Sequence, residues 1–434
     1  MAVCQFIFYY NQMQTRFAFI LSVIIGLAAA APGHGQQPGF RLSSQAKISL
    51  LTCSPGDELY SVFGHSAIRV NDPVRDLDWV FNYGTFDFSD PNFYTNFVRG
   101  RLNYILSVSE YRHFEQEYRR EQRWIWEQDL NITQAEKQYL FDSLLINYQP
   151  ENRYYLYDFF YDNCATRIRD VFGEAISREI VFDYDVLDKG QSFRELLMPY
   201  LREKPWARLG INLALGLPSD KTATPWDYMF LPDHMMTLYE HADFRAGESL
   251  AAFTPGSRLI LQGEELPRAL LRHSPLWLFI LVLMGTIILS HFNLQSKKFT
   301  WWYDRILFGS VGLLGLLIVF LWFFTDHAVT AWNLNIIWAH PLHFFIIFFL
   351  SGKKNFRLIN YYFMANLVIL ILLIFSWPLL PQPLPWVIMP LVMAMVVRSA
   401  VIIRMFKPDI LGAGQKNSKQ VQKSSGTPKQ PVTS

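Results

Sequence analysis

The chain has 434 residues, more than one ordinary domain requires. Its residues are 51% hydrophobic and 16% aromatic and only 18% charged, which is typical of a membrane protein that carries a folded domain. No basic stretch is interleaved with aromatic residues, so we expect no nucleic-acid partner. The three cysteines (Cys4, Cys53 and Cys164) lack zinc-type spacing, and we expect neither a metal nor a cofactor.

The N-terminal residues are typical of a targeting signal. Arg16 precedes an apolar run from Phe17 to Ala31, and small residues then lead into Pro32. This pattern predicts a signal peptide with an alanine-rich cleavage region, with an uncleaved anchor as the alternative. We therefore assign residues 1–36 to a signal peptide or N-terminal anchor and expect the following residues to be exported.

Residues 37–270 are predicted to form a periplasmic domain of mixed α+β structure, long enough to bury a core. Alternating and apolar segments predict strands near residues 48–53, 65–70, 79–88, 104–108 and 124–130. Helices are predicted over 109–123, from the capping box Thr133–Glu136 to about Asn147, and after Asn163.

From residue 271 the chain is predicted to be an all-α transmembrane bundle of about five helices, ending at 406. The apolar stretches lie near 275–292, 304–325, 331–350, 358–378 and 383–403, each about long enough to span a bilayer. Lysine and arginine residues follow the first, third and fifth apolar stretches, so they share one side of the membrane. The positive-inside rule makes that side the cytoplasm, which places the tail in the cytoplasm and the 37–270 domain outside. Residues 407–434 are polar and predict a disordered cytoplasmic tail.

Cys164 is the candidate nucleophile. It follows an aromatic run that ends at Asp162 and Asn163, either of which is a good N-cap for the helix that begins there. A helix N-terminus lowers the pKa of a thiol and favours the thiolate, the reactive form in acyl transfer. Two alternatives stay open: an inert buried cysteine, and a disulfide with Cys53.

His65 is the candidate partner of Cys164. It stands at the predicted start of a strand, from which a ring can project into a cleft. Gly64 beside it allows a substrate or another backbone to approach closely. The alternative is a structural histidine, but the chain supplies both halves of a cysteine–histidine pair.

Three segments carry a resemblance to a known family. Residues 51–69, 81–88 and 161–170, which include His65 and Cys164, together resemble the periplasmic domain of the Lnb-type lipoprotein N-acyltransferases of Bacteroidota. The resemblance implies transfer of a fatty acyl chain from a phospholipid to the α-amino group of a diacylglyceryl-cysteine. It implies a phospholipid donor, a lipoprotein acceptor, and a multi-pass location in the inner membrane with the catalytic domain in the periplasm.

The order of histidine before cysteine also resembles circularly permuted papain-like folds, such as the lecithin:retinol acyltransferase group. That resemblance implies that Cys164 is the nucleophile, that it carries the acyl group as a thioester, and that His65 is the base. It further implies a third polar residue that orients the histidine ring. Asn82 is the first candidate for this place, with Tyr83 and Asp87 as alternatives.

Two other classes of function remain open. One is a papain-like cysteine peptidase or amidase of the cell envelope, which needs no set of membrane spans. The other is a non-enzymatic envelope assembly protein in which Cys164 is structural.

Two further stretches each have a functional and a structural interpretation. Residues 225–236 are apolar and predict either an acyl groove or plain core. Asn333, Asn335, His340 and His343 lie in or near the third apolar stretch, where polar groups often mark a site. The simpler interpretation, which we favour, places the histidines at the headgroup level with a kink at Pro341.

Overall fold

The computed structural model describes residues 40–86, 91–246, 249–264, 274–350 and 356–405. The expected signal segment 1–36, the expected boundaries at 270 and 406, and the tail 407–434 lie outside these described residues. The helices and strands of the fold belong to the compact unit Ser43–Ser434.

Ten strands are described in the N-terminal domain. They are β1 (Lys47–Cys53), β2 (His65–Asp72), β3 (Leu77–Thr85), β4 (Asn103–Glu110), β5 (Ile125–Asp129), β6 (Tyr154–Leu156), β7 (Ile180–Phe182), β8 (Ala242–Ala246), β9 (Ser249–Ala252) and β10 (Arg258–Leu261). Seven of them form one sheet in the order β10-β5-β1-β2-β3-β4-β6, and β7-β8-β9 form a second. The pairs are antiparallel, and the predicted strands at 48–53 and 65–70 are confirmed as neighbours.

Helices cover both faces of the large sheet. They are α1 (Phe93–Arg99), α2 (Tyr111–Arg120), α3 (Gln134–Tyr148), α4 (Cys164–Ala175), α5 (Phe193–Leu197), α6 (Pro205–Ala214) and α7 (Pro232–Glu240). On one face, Leu51 and Ala67 pack with Phe114 of α2. On the other, Phe81 of β3 meets Phe141 of α3 edge to face at 6.2 Å. Side chains alternate across a strand, so the central strands are buried on both faces.

The predicted capping box at the start of α3 is confirmed. The hydroxyl of Thr133 accepts the N–H of Glu136 at 3.2 Å, and the Glu136 carboxylate accepts the N–H of Thr133 at 2.8 Å. These two bonds satisfy N–H groups that have no partner within the helix. The helix therefore begins where the sequence predicts.

The C-terminal region is helical, which confirms the prediction of an α+β domain followed by a membrane region. Its helices are α8 (Pro275–Ser296), α9 (Trp301–Phe323), α10 (Leu342–Ile346), α11 (Phe356–Ser376) and α12 (Met389–Met405). Within the described residues, four stretches are long and apolar enough to span a membrane: Pro275–Ser296, Trp301–Phe323, Arg357–Leu379 and Trp386–Met405.

The third predicted span, residues 331–350, is broken rather than continuous. A 3-10 turn at Leu334–Ile337 and the short helix α10 lie on either side of Pro341. Proline has no N–H and disfavours helical geometry in the residue before it, so one long helix cannot form there.

The broken segment 331–350 runs alongside α9 in the opposite direction. Trp332 packs on Trp322 near the end of α9, with ring centroids 5.1 Å apart. Near the beginning of α9, Nε of Arg305 donates to the carbonyl of Ile347 at 3.3 Å. The segment therefore spans the same length along the membrane normal as α9. Irregular backbone is tolerated at that depth where protein encloses it.

Two glycines of α9 make this close packing possible. A Cβ on Gly312 would lie 2.1 Å from the backbone nitrogen of Phe344, and one on Gly315 would lie 2.0 Å from the carbonyl oxygen of Ala339. Residues three apart share one face of a helix, so the two glycines form a single slot for the broken segment.

A buried ion pair ties three spanning helices together. Arg398 of α12 donates to both carboxylate oxygens of Asp304 on α9, at 2.7 and 2.6 Å. Its remaining donors reach Ser290 at 3.2 Å and Asn293 at 3.1 Å, both on α8. Burial of the two charges is tolerated because each is paired and hydrogen-bonded.

The loops of the membrane region hold the end of α6 in the N-terminal domain. Nδ2 of Asn333 donates to the carbonyls of Leu213 at 2.7 Å and Ala214 at 3.1 Å. Nε2 of Gln382 donates to the carbonyl of Leu215 at 3.1 Å. The last carbonyls of a helix lack intrahelical partners, so these side chains join the two regions by satisfying them.

The histidines of the third stretch lie within the protein. Nε2 of His343 donates to the carbonyl of Trp338 at 3.1 Å, and its Nδ1 accepts the hydroxyl of Tyr362 at 2.7 Å. His340 stacks on His343 with ring centroids 3.8 Å apart. His343 is fully buried and makes its hydrogen bonds inside the protein, which favours a structural role for this ring. Asn335 joins the α6 junction through the carbonyl of Asn212.

Candidate active site

The N-terminus of α4 is built by Asn163, one of the two N-caps that the sequence proposes. Its Oδ1 accepts the N–H groups of Ala165 and Thr166, each at 2.9 Å. Its Nδ2 donates to the carbonyl of Phe230 at 2.8 Å, which fixes the start of the helix against the domain core. Cys164 is therefore the first helical residue, where the helix dipole favours a negative sulfur.

His65 is the first residue of β2, as predicted. It lies opposite Cys53 of β1, and the two residues form the last pair of the antiparallel β1–β2 ladder. Gly64 before it has φ of +79°, and a Cβ there would lie 2.9 Å from the carbonyl oxygen of Cys53. The glycine therefore allows the close backbone approach with which β2 begins.

Asn82 of β3 holds the histidine ring. Its Oδ1 lies 2.5 Å from Nε2 of His65, so Nε2 carries the proton and Nδ1 is free to face Cys164. Of the two alternatives, Tyr83 uses its hydroxyl to accept Nδ2 of Asn147 at 3.0 Å. Asp87 lies outside the described residues.

The environment favours the thiolate of Cys164. Burial raises the pKa of this thiol, and the positive charge and hydrogen bond of His65 lower it. Hydrogen bonds from the backbone N–H groups of Ser66 and Ala165 lower it further, so the net direction is downward from the ordinary value of 9.0.

The same pairing acts in the opposite sense on His65. Burial lowers the pKa of the ring, and this is outweighed by the negative charge of Cys164 and by hydrogen bonds with Cys164 and Asn82. The net pKa of His65 is raised above 6.5. A lowered thiol pKa and a raised imidazole pKa both favour the thiolate–imidazolium form of the pair.

Cys53 has a different environment from Cys164. It is buried in the core cluster with Leu51 and Tyr118, and burial raises the pKa of its thiol to about 12. Both Cys53 and Cys164 are free thiols in the structure, so the two are not joined as a disulfide. Cys4 lies outside the described residues.

Two polar donors near Cys164 were not singled out from the sequence. The backbone N–H of Cys164 stands at the helix start, where no intrahelical acceptor is available. The hydroxyl of Tyr155 is buried without a hydrogen-bond partner among the described residues. A Cβ on Gly84 would lie 3.4 Å from Cβ of Cys164 and 3.9 Å from that hydroxyl, so both groups border the same space. Tyr155 belongs to the aromatic run, but the run itself does not distinguish it from its neighbours.

Residues 225–236 are mostly core. Tyr228, Met229, Phe230, Leu231 and Met235 are each at most 1% exposed, which favours the structural interpretation of this stretch. Pro232, Asp233 and Met236 line a cavity of about 150 Å³ beside Gly64, together with Phe63, Trp126 and Tyr200. Cys164 and His65 are not among the residues that line it.

Within the described ranges, no group of three or more histidine, cysteine, aspartate or glutamate residues is placed to hold a metal ion. The side chains gathered at the site carry reactive groups of their own. These are a thiol, an imidazole, a carboxamide and the neighbouring hydrogen-bond donors.

The fold defines a multi-pass membrane protein that carries an α+β domain, and the geometry places a cysteine, a histidine and an asparagine together in that domain. Two family models match the chain: the Lnb N-terminal periplasmic domain over residues 42–190 and the Lnb transmembrane domain over residues 268–408. The chain belongs to the Lnb family. No curated protein and no solved structure gave a significant match.

Proposed function

We propose that this protein is a cysteine-dependent lipoprotein N-acyltransferase of the inner membrane. It moves a fatty acyl chain from a phospholipid to the α-amino group of a diacylglyceryl-cysteine, through a thioester on Cys164. The observation that carries the proposal is the arrangement of Cys164, His65 and Asn82. It lies in a domain that is hydrogen-bonded to the loops of a membrane-spanning region.

In the first step, the thiolate of Cys164 attacks the carbonyl carbon of a phospholipid ester. The carbonyl oxygen gains negative charge, which the backbone N–H of Cys164 and the hydroxyl of Tyr155 are placed to stabilise. The carbon–oxygen bond then breaks, and the imidazolium of His65 gives its proton to the departing alkoxide. The products are a lysophospholipid and an acyl-thioester.

In the second step, the neutral α-amino group of the acceptor attacks the thioester carbonyl. His65, now neutral, takes the proton from the nitrogen as the amide bond forms. The carbon–sulfur bond breaks and restores the thiolate beside the imidazolium. Asn82 keeps the ring in place in both steps because its Oδ1 accepts a hydrogen bond from the Nε2–H of His65.

The membrane region supports the choice of lipid substrates over peptides. Donor and acceptor both carry acyl chains, and both therefore remain at the bilayer surface. The side chains of Asn333 and Gln382 hold α6 of the catalytic domain against the loops of the spanning region. A peptidase or amidase of the envelope needs the same cysteine–histidine pair but not this attachment.

The proposal is tested by the mass of the intact protein. Purified full-length protein in phospholipid nanodiscs, with no lipoprotein added, should gain the mass of one acyl chain. Hydroxylamine at neutral pH should remove it, because hydroxylamine cleaves thioesters readily. Addition of a diacylglyceryl-cysteine peptide should discharge the adduct and yield an N-acylated peptide.

Cys164→Ala is the matched control and should gain no acyl chain, whereas Cys53→Ala should gain one. An adduct on Cys53, or turnover without any adduct under rapid quenching, would overturn the thioester mechanism. Hydrolysis of an envelope peptide without acyl transfer would favour the peptidase or amidase. A Cys164→Ala variant that still restores function in cells would favour the non-enzymatic assembly protein.

A further inference from the structure

Helix α1 presents an apolar face that the described protein does not cover. Tyr94 is 77% exposed, Phe97 54% and Val98 44%. These residues stand at positions i, i+3 and i+4, so they share one side of the helix. An exposed cluster of large apolar side chains on a soluble domain marks an interaction surface.

The carboxyl end of α1 is bound to the loop that follows spanning helix α9. The N–H of Asp326 donates to the carbonyl of Arg99 at 2.9 Å, and Nε2 of His327 donates to the carbonyl of Phe97 at 3.2 Å. Arg101 pairs with Asp326 at 2.5 Å. Because Asp326 comes three residues after Phe323, the last residue of α9, these contacts place α1 where α9 leaves the apolar layer.

Exposed apolar side chains continue from α9 to α1. Phe323 and Phe324 are 63% and 66% exposed at the end of α9, and Trp332 beside them is 64% exposed. Exposed apolar side chains therefore stand on both sides of the contact between α1 and the loop that follows α9. Aromatic side chains are enriched at this level of membrane proteins.

A row of aromatic rings leads from α1 towards the candidate active site. The ring of Phe97 stacks with that of Phe93 at 6.4 Å, and Phe93 meets Phe86 at 5.7 Å. Phe86 meets Tyr104 at 5.5 Å, and Tyr104 stacks on Tyr157 at 4.2 Å.

The inner end of this row borders Cys164. Tyr104 pairs with Tyr155 across strands β4 and β6, and the Tyr155 hydroxyl borders the space beside Cys164. Burial raises the pKa of Tyr104 to about 12, and the negative charge of Cys164 adds to the rise.

We propose that the face of α1 formed by Tyr94, Phe97 and Val98 docks into the periplasmic leaflet of the bilayer. From there, the aromatic row delivers an acyl chain of a leaflet phospholipid to Cys164. These three side chains thus contact the acyl and glycerol layer of the membrane. The exposed Arg99 at the end of α1 is placed to meet phosphate. Docking stands on the geometry of α1 and its contacts with the loop after α9, whereas delivery rests on the proposed function.

Docking is tested by spin-label depth in nanodiscs of phosphatidylethanolamine and phosphatidylglycerol. A nitroxide is placed at Phe97→Cys in the full-length chain, with Cys4, Cys53 and Cys164 replaced by alanine. Its matched control is Tyr139→Cys on α3, a residue of similar exposure (58%) on another helix. Position 97 should be more accessible to oxygen than to a water-soluble nickel complex, and position 139 the reverse. Equal water accessibility at both positions overturns docking.

Delivery is tested by a ratio of two rates, both measured as acylation of Cys164. One donor is the bilayer phospholipid, and the other is a short-chain ester that dissolves in water. Phe97→Asp and Val98→Asp should each lower the ratio of the first rate to the second by at least about tenfold, because a charge at the interface opposes insertion. Tyr139→Asp should leave the ratio unchanged.

The outcomes separate the two proposals. An unchanged ratio in both α1 variants overturns delivery. A wild-type protein that accepts no acyl group from phospholipid overturns the proposed function, and delivery with it. The depth of position 97 decides docking in either case, because it is measured without catalysis.

Discussion

Oδ1 of Asn82 lies 2.5 Å from Nε2 of His65 and joins two neighbouring strands at the candidate active site. The pairing of β2 with β3 ends, on the side of the site, at the pair Ile68–Phe81. Asn82 is the next residue of β3 after that pair. The carboxamide therefore bridges strands where their ladder has ended. It sets which ring nitrogen carries the proton, and leaves the other for Cys164.

Replacing Asn82 tests this relationship. Asn82→Ala should lower the rate of thioester formation by roughly 10- to 100-fold, because an unheld imidazole is a poorly placed acid and base. Asn82→Asp should keep the hydrogen bond, and its negative charge should raise the pKa of His65 further. We expect the alkaline limb of the pH profile to move to lower pH in the alanine variant and to higher pH in the aspartate variant. Limbs that do not move would show that Asn82 has no influence on the ring.

The two cysteines of the periplasmic domain should respond differently to replacement. Cys164→Ala should abolish thioester formation while the protein still folds and inserts. Cys53→Ala should keep most activity and lower the free energy of unfolding by about 1 kcal/mol, since it removes a small buried side chain from a core cluster. Single-turnover acylation and thermal unfolding of both variants measure these effects. Equal loss of activity in both would contradict the assignment of Cys164.

The pH dependence of alkylation measures the pKa of Cys164 directly. Its pKa is lowered from 9.0, so iodoacetamide should react with the thiolate at pH values where an ordinary cysteine is protonated. Reactivity should fall as the pH drops through this lowered value. In His65→Ala the charge and hydrogen bond of the imidazole are absent, so the alkylation profile should move to higher pH. An unchanged profile would mean that the two side chains do not interact.

Activity should also decline on the alkaline side. The pKa of His65 is raised above 6.5, and the first step requires its protonated form. Two pKa values therefore govern single-turnover thioester formation: the lowered pKa of Cys164, through which the rate should rise with pH, and the raised pKa of His65. The rate should fall as the pH rises through the latter, because the leaving group then receives no proton. A rate that keeps rising across the alkaline range would exclude His65 as the acid.

Tyr155→Phe should separate catalysis from stability. Loss of an oxyanion donor lowers the rate by about 100-fold. The hydroxyl is buried and has no hydrogen-bond partner within the described part of the chain, so its removal should leave the melting temperature unchanged or slightly higher. Tyr83→Phe is the matched control. Its hydroxyl is bonded by Asn147, so this variant should lose some stability and keep its activity. A fully active Tyr155→Phe would remove Tyr155 from the mechanism.

The glycine slot of α9 predicts a strong position dependence for alanine substitutions. Gly312→Ala places a methyl group against the backbone of Phe344 and should lower the free energy of unfolding by about 1–3 kcal/mol. On α8, a Cβ at Gly285 meets no atom within 4 Å, so Gly285→Ala should be neutral or slightly stabilising. Thermal unfolding of both variants in the same detergent gives the comparison. Equal stability would show that the broken segment does not pack in the slot.

Local signals in the sequence determined much of the fold. A capping box, a strand's alternation and an N-cap act over a few residues, so the starts of α3 and β2 and the helical position of Cys164 were predictable from neighbours in the chain. Hydrophobic length likewise predicted the four long apolar helices, because the bilayer sets their length.

Tertiary structure decided the relationships between distant residues. Only the register of β2 and β3 brings Asn82, rather than Tyr83, to His65. Only the packing of α4 against the sheet leaves the Tyr155 hydroxyl beside Cys164, with no partner among the residues that the structure describes. Similarly, residues 331–350 have the composition of a continuous span. Their broken form depends on Pro341 and on a glycine slot that a separate helix provides. Such contacts depend on where other elements pack, which a local pattern of residues does not contain.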